Sequence, residues 1–86
     1  MRPRVEPRIL ASALKHRVLV DDIRHALDLP MRLYALDDNE LVVIGPARNG
    51  ELLEIVLADP EDDARVIHAM PARRRFIRYL EGREKP

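Results

Sequence analysis

The pattern of apolar residues changes at Pro30, and this change limits the folds that the chain can form. Before Pro30 the apolar residues recur at helical spacing, whereas after it short apolar runs are separated by turn residues, which is typical of strands. The pattern predicts two helices, over residues 8–16 and 20–29. It then predicts four strands, over residues 31–36, 40–45, 51–58 and 64–69.

The connectors between the predicted strands have hairpin length. Since parallel strands would need longer crossover segments, the strands are expected to pair antiparallel. Pro71 suits the first position of a helix, so a final helix is expected to begin there. On a helical wheel Arg73 falls inside the apolar arc of this helix, whereas Arg74 and Arg78 point away from it. The expected fold is an α+β domain with two N-terminal helices, a four-stranded antiparallel meander sheet and a basic C-terminal helix.

The size of the chain allows one modest core, so residues 1–86 are expected to form a single domain, with flexible tails at 1–8 and 82–86. The absence of cysteine excludes a disulfide, a thiolate zinc site and a cysteine nucleophile. No apolar run is long enough for a membrane span, which predicts a cytoplasmic protein without a membrane partner. Small domains without disulfides or structural metal sites often gain stability by self-association, so a homo-oligomer is expected.

The formal net charge of zero conceals a strong segregation of charge along the chain. Residues 1–17 hold five basic and one acidic residue, residues 18–65 four basic and twelve acidic, and residues 66–86 six basic and two acidic. If the two ends meet in the fold, they form a basic patch suited to phosphate groups or to an acidic protein surface.

Three segments resemble the BrnT-type ribonuclease toxins, which are small RelE-like proteins: Lys15-His16-Arg17-Val18, residues 45–53, and Val66-Ile67-His68-Ala69 leading into the arginine-rich end. The resemblance implies cleavage of RNA without a metal, which needs a base for the 2′-hydroxyl proton, an acid for the leaving oxygen and cations for the phosphorane. The chain contains residues of each type, in and around its basic ends. The candidate catalytic residues are His68, Arg73, Lys15, His16 and Glu54, and the candidates for substrate binding are Arg48, Arg74, Arg78 and Tyr79. No phosphate-binding glycine loop or zinc motif occurs, so neither a metal nor a cofactor is expected.

Several of these residues also have a structural interpretation. His68 ends an apolar strand and is either an acid–base group or a hydrogen-bonded structural histidine. Glu54 points away from the sheet face that carries Leu53, and that second face is either dry or solvated. Lys15 and His16 are equally suited to complement the dipole at the end of the first helix.

The junction between the last strand and the final helix is expected to bind an anion. Pro71 has no amide proton and Met70 has no capping side chain, so the amides of Ala72 and Arg73 should be open to a phosphate. Arg73 and His68 are expected to flank that anion.

The resemblance to the BrnT-type toxins also implies that this metal-independent endoribonuclease has a ribbon-helix-helix antitoxin as its partner. The alternative is a non-catalytic interaction module, whose basic surface docks an acidic partner or a second copy of the chain.

Overall fold

The computed structural model describes residues 6–36 and 39–74. Within these ranges it forms a mixed five-stranded sheet, one nine-residue helix and a short 3-10 turn. The elements are β1 (Arg8–Ile9), the 3-10 turn (Ala11–Leu14), α1 (Val20–Asp28), β2 (Arg32–Leu36), β3 (Glu40–Pro46), β4 (Leu52–Ala58) and β5 (Arg65–Pro71). The strand order is β1-β5-β4-β3-β2. No helix in these ranges has the length and apolar character needed to cross a lipid bilayer.

The predicted helix over residues 8–16 is wrong. Arg8 and Ile9 form β1, which runs parallel to β5, and the Leu10 N–H continues the pairing to the Val66 carbonyl at 3.0 Å. The segment is short and has no side-chain cap at Leu10, and short helices without tertiary support are marginal in water. Pairing with the edge of β5 satisfies the backbone instead. The prediction of two N-terminal helices and a four-stranded antiparallel sheet is therefore corrected to one helix and a mixed five-stranded sheet.

The four predicted strands occur within two residues of the expected bounds, and β2 to β5 pair antiparallel in chain order. The start of the final helix at Pro71 was wrong, because β5 runs through Pro71 and the Ala72 N–H extends the pairing to the Leu52 carbonyl at 2.9 Å. The rest of that predicted helix, from residue 75 onward, and the predicted flexible tail at 82–86 lie outside the described residues.

Helix α1 packs on β3 and β4 and covers one face of the sheet. We call this the helix face. A Cβ atom at Gly45 would overlap the carbonyl oxygen of Ala26, so the close approach of α1 to β3 requires glycine at this position. The buried core on the helix face contains Ala13, Ile23, Ala26, Val43, Ala47, Leu53, Ile55, Leu57, Val66 and Ala69.

The opposite face of the sheet, called here the second face, is also dry at its centre. Val42 and Ile44 of β3 are buried there, and Tyr34 and Val56 pack against them. A run of apolar residues without alternation, as in β3, is typical of a strand that is buried on both sides. Side chains on this face therefore meet a low-polarity environment.

A β-bulge in β5 decides which of its side chains reach the second face. Val56 pairs with His68 but the next residue of β4, Leu57, pairs with Val66, so Ile67 is the extra residue. The bulge allows Val66 and Ala69 both to enter the core on the helix face. It also turns His68 toward the second face, and bulges commonly redirect a side chain in this way.

Candidate functional site

The centre of the candidate site is the carboxylate of Glu54, which is only 1% exposed. Glu54 lies on β4, in register with Ile44 of β3 and Met70 of β5, and so projects from the second face. Its neighbours Leu53 and Ile55 enter the core on the helix face. The interpretation of Glu54 as a solvated residue is therefore excluded.

Arg73 binds this carboxylate through both its side chain and its backbone. Arg73 Nε lies 3.0 Å from Oε1 and 3.2 Å from Oε2 of Glu54, and Nη2 lies 2.9 Å from Oε2. The backbone N–H of Arg73 donates to Oε1 at 2.9 Å. A buried charge is tolerated when it is paired and hydrogen-bonded in this way.

The expectation of open amides at Ala72 and Arg73 was wrong. The Ala72 N–H donates to the Leu52 carbonyl, and the Arg73 N–H donates to Glu54. The anion at this turn is thus the protein's own carboxylate, that of Glu54.

The ionised form of Glu54 is favoured despite its burial. Burial by itself raises the pKa of Glu54, but the side-chain and backbone hydrogen bonds from Arg73, together with the charges of Arg73 and His68, outweigh it and lower the pKa below its ordinary value. The hydrogen bond to Glu54 correspondingly raises the pKa of Arg73, although desolvation opposes it. Both members of the pair are therefore charged at neutral pH.

Two histidines complete what we call the Glu54 cluster, defined as His16, Glu54, His68 and Arg73. His68 Nε2 lies 3.5 Å from Glu54 Oε2 and makes no hydrogen bond within the described part of the chain. The ring of His16 packs edge-on against that of His68, with 5.5 Å between centroids and 72° between the planes. His16 is exposed and the His68 side chain is 31% exposed, so solvent reaches both rings.

The 3-10 turn positions His16 beside β5. Ser12 Oγ in this turn donates to the carbonyl of Ile67 at 3.2 Å, which fixes the turn against the bulge that redirects His68. Arg17 has a left-handed backbone conformation, with φ of 62°, directly after His16. Lys15 is exposed next to His16 in the chain.

Arg48 does not join the Glu54 cluster. Its backbone N–H and its Nε donate to Asp22 Oδ1 at 3.0 Å and 2.8 Å, and its Nη1 lies 3.7 Å from Asp21 Oδ2. These hydrogen bonds, the side-chain one first, lower the pKa of Asp22. Arg48 therefore ties the β3–β4 turn to the start of α1, and sequence spacing alone could not have identified its partner.

The remaining candidates are less informative about the site. Arg74 is exposed directly after Arg73, and Arg78 and Tyr79 lie outside the described residues. His25 is half-buried, with Nδ1 2.7 Å from the Pro46 carbonyl. It links α1 to the end of β3 and is separate from the cluster.

A cleft of about 220 Å³ opens on the helix face, on the other side of the sheet from Glu54. Arg24 and Glu6, paired at 3.2 Å, stand at its rim. The apolar lining comprises Pro7, Leu27, Pro30, Leu33, Leu41, Val43 and Leu57. The cleft contains no histidine and shares no lining residue with the cluster.

The Glu54 cluster places two imidazoles in contact with each other next to a fixed ion pair. Imidazoles are the commonest acid–base groups in enzymes, and His68 Nε2 lies 3.5 Å from Glu54 Oε2 without a hydrogen bond between them. Comparison of the chain with models of known protein families, with curated proteins and with solved structures finds no match in any of the three. The functional argument therefore depends on the chemistry of this cluster.

Proposed function

We propose that this chain is an endoribonuclease that cleaves RNA without a metal ion, with His16 and His68 as its acid–base pair. The observation that supports the proposal best is the contact between two solvent-accessible imidazoles, one of which is backed by a buried carboxylate. Because Nε2 of His68 faces Glu54, Nδ1 is the nitrogen left to exchange a proton with a substrate.

In the proposed reaction the 2′-oxygen of a ribose attacks the adjacent phosphorus. One histidine accepts the 2′-hydroxyl proton while the other, protonated, gives its proton to the departing 5′-oxygen. The P–O5′ bond breaks as the P–O2′ bond forms, which leaves a 2′,3′-cyclic phosphate and a free 5′-hydroxyl. The step leaves the two histidines with exchanged protonation states, and proton exchange with water restores them before the next turnover, so no oxidant, reductant or metal takes part in the balance.

The net charge of the Glu54 cluster depends on the protonation of its two histidines. Glu54 and Arg73 neutralise one another, so protonation of one imidazole gives the cluster a net positive charge beside the phosphate. The Arg73 side chain is 51% exposed and brings part of its guanidinium to the surface. Lys15 and Arg74, both exposed and adjacent in the chain to cluster residues, would attract the RNA backbone.

The second candidate is the non-catalytic interaction module, and the completeness of the Glu54–Arg73 contact favours it. The guanidinium and the backbone N–H of Arg73 both bind one carboxylate of the same chain, which is what a purely structural tie between β4 and the residues after β5 would do. In that case the exposed cations dock an acidic protein surface. A ribbon-helix-helix antitoxin remains the proposed partner for the first candidate.

The test is cleavage of RNA by the purified chain in the presence of EDTA. His16→Gln and His68→Gln should each lower the cleavage rate by roughly 100-fold or more, the usual contribution of a positioned acid or base. His25→Gln is the matched control, because this histidine lies outside the cluster, and circular dichroism confirms the fold of each variant. A folded parent protein that binds RNA or an acidic partner but cleaves no RNA would support the interaction module instead.

A further inference from the structure

β2 and the residues just before it carry most of the exposed large apolar side chains in the described part of the chain. Seven such side chains are exposed in the described residues, and four of them lie between residues 29 and 36. These four are Leu29, Met31, Leu33 and Leu36, with exposed fractions of 53%, 53%, 56% and 44%. The strand itself has five residues and ends the sheet on this side.

Among the described residues, no strand pairs with the outer edge of β2. The helix packs on β3 and β4, and the helix-face cleft remains open beside Leu33. An edge strand presents a row of backbone donors and acceptors that can pair with another strand, and proteins usually protect such edges with proline, bulges or inward-pointing charge. Within β2 the only charged residue is Arg32, and no proline occurs.

We propose that β2 pairs antiparallel with β2 of a second copy of this chain, with Tyr34 on the two-fold axis. The two five-stranded sheets then join into one continuous sheet of ten strands. The opposite edge offers no equivalent, because β1 has only two residues and stands at the other end of the sheet.

The sequence of β2 is complementary to itself in this register. Leu33 of one copy lies opposite Ala35 of the other, so a large side chain faces a small one twice on the helix face. On the second face, Arg32 of one copy lies opposite Leu36 of the other, whose own neighbour on β3 is Glu40.

The overall charge also permits association of identical copies. The formal net charge is zero at pH 7, so two chains approach without net electrostatic repulsion. Identical surfaces related by a two-fold axis give a closed dimer rather than a filament, because each β2 edge is used once. The proposal does not depend on catalysis by the Glu54 cluster.

The first experiment measures the oligomeric state of the full chain by sedimentation equilibrium. The parent chain should be a dimer, and Leu33→Lys should raise the dimer dissociation constant by roughly 100-fold, because each of the two Leu33 side chains loses its apolar contact with Ala35 of the other copy. Leu19→Lys, at a residue 59% exposed but remote from β2, is the matched control and should leave the dimer intact. A monomeric parent, or a dimer that only Leu19→Lys weakens, would overturn the proposal.

The second experiment tests the register in which β2 pairs with β2 of the second copy. Its result does not depend on whether Leu33→Lys folds. The chain has no cysteine, so Tyr34→Cys introduces a single thiol that should form a disulfide across the axis under mild oxidation. Leu36→Cys is the control, because its two copies would be separated by about four residues along the strand, or roughly 13 Å. Faster cross-linking through Leu36→Cys than through Tyr34→Cys would contradict this arrangement.

Discussion

Replacement of Arg73 by alanine should destabilise the fold through Glu54. The change removes three of the four hydrogen bonds that Arg73 gives to a carboxylate that is 1% exposed. Breaking a fully buried ion pair costs about 3–5 kcal/mol of unfolding free energy. Because the Arg73 side chain is 51% exposed, solvent screens part of the interaction, and the expected cost is about 2–3 kcal/mol.

That cost is large for a chain of this length. An 86-residue domain has a typical unfolding free energy of about 4–13 kcal/mol, so thermal denaturation should show a fall in the melting temperature of roughly 10–20 °C. Arg74→Ala, the exposed neighbour, is the control and should leave the melting temperature within a few degrees. The same Arg73→Ala change made in a Glu54→Gln background should cost less than about 1 kcal/mol. Equal costs in the two backgrounds would refute the reasoning.

Three further predictions concern pH, packing and salt. The pKa of Glu54 is lowered in the fold from its ordinary value of 4.5, so the ionised form stabilises the protein at any pH above 4.5. This stabilisation is lost as the pH falls through the lowered pKa. The melting temperatures of the parent and Glu54→Gln should therefore converge in acid. Gly45→Ala should lower the free energy of unfolding by about 1–3 kcal/mol in chemical denaturation, since the new Cβ meets the backbone of α1. Gly50→Ala is the comparison, because a Cβ there meets no atom within 4 Å and the only cost is the strain of the positive φ. Binding of RNA should weaken steeply between low and high salt, and an affinity independent of salt would show that the segregated charges do not contact the backbone phosphates.

The strands and α1 could be predicted because their patterns are strong and local. Short apolar runs between turn residues identify β2 to β5, and hairpin-length connectors leave antiparallel pairing as the simplest arrangement. The prediction of a helix over residues 8–16 was wrong because the helical spacing of Ile9 and its neighbours extends over too few residues to exclude a strand. What decides their structure is the open edge of β5, a non-local feature that no period in the sequence reports.

The residues of the candidate site could be predicted from the sequence, but the contacts between them could not. His68, His16, Glu54 and Arg73 were selected for their chemistry, and the structure places all four in one cluster. The bulge at Ile67 and the run of β5 through Pro71 were not visible in the sequence, because both depend on pairing with β4. These two features bring Arg73 back over Glu54, so the anion expected from outside is supplied by the chain itself.

The most direct test of the account is the chemistry of the RNA ends produced by the purified chain. With EDTA present, RNA should yield fragments with 2′,3′-cyclic phosphate and 5′-hydroxyl ends, and a strand with a single 2′-deoxyribose at the cleaved position should stay intact there. His68→Gln, folded as the parent is, should produce almost no fragments. Equal cleavage by the parent and His68→Gln, or cleavage that persists at the 2′-deoxyribose, would contradict the proposed role of the Glu54 cluster.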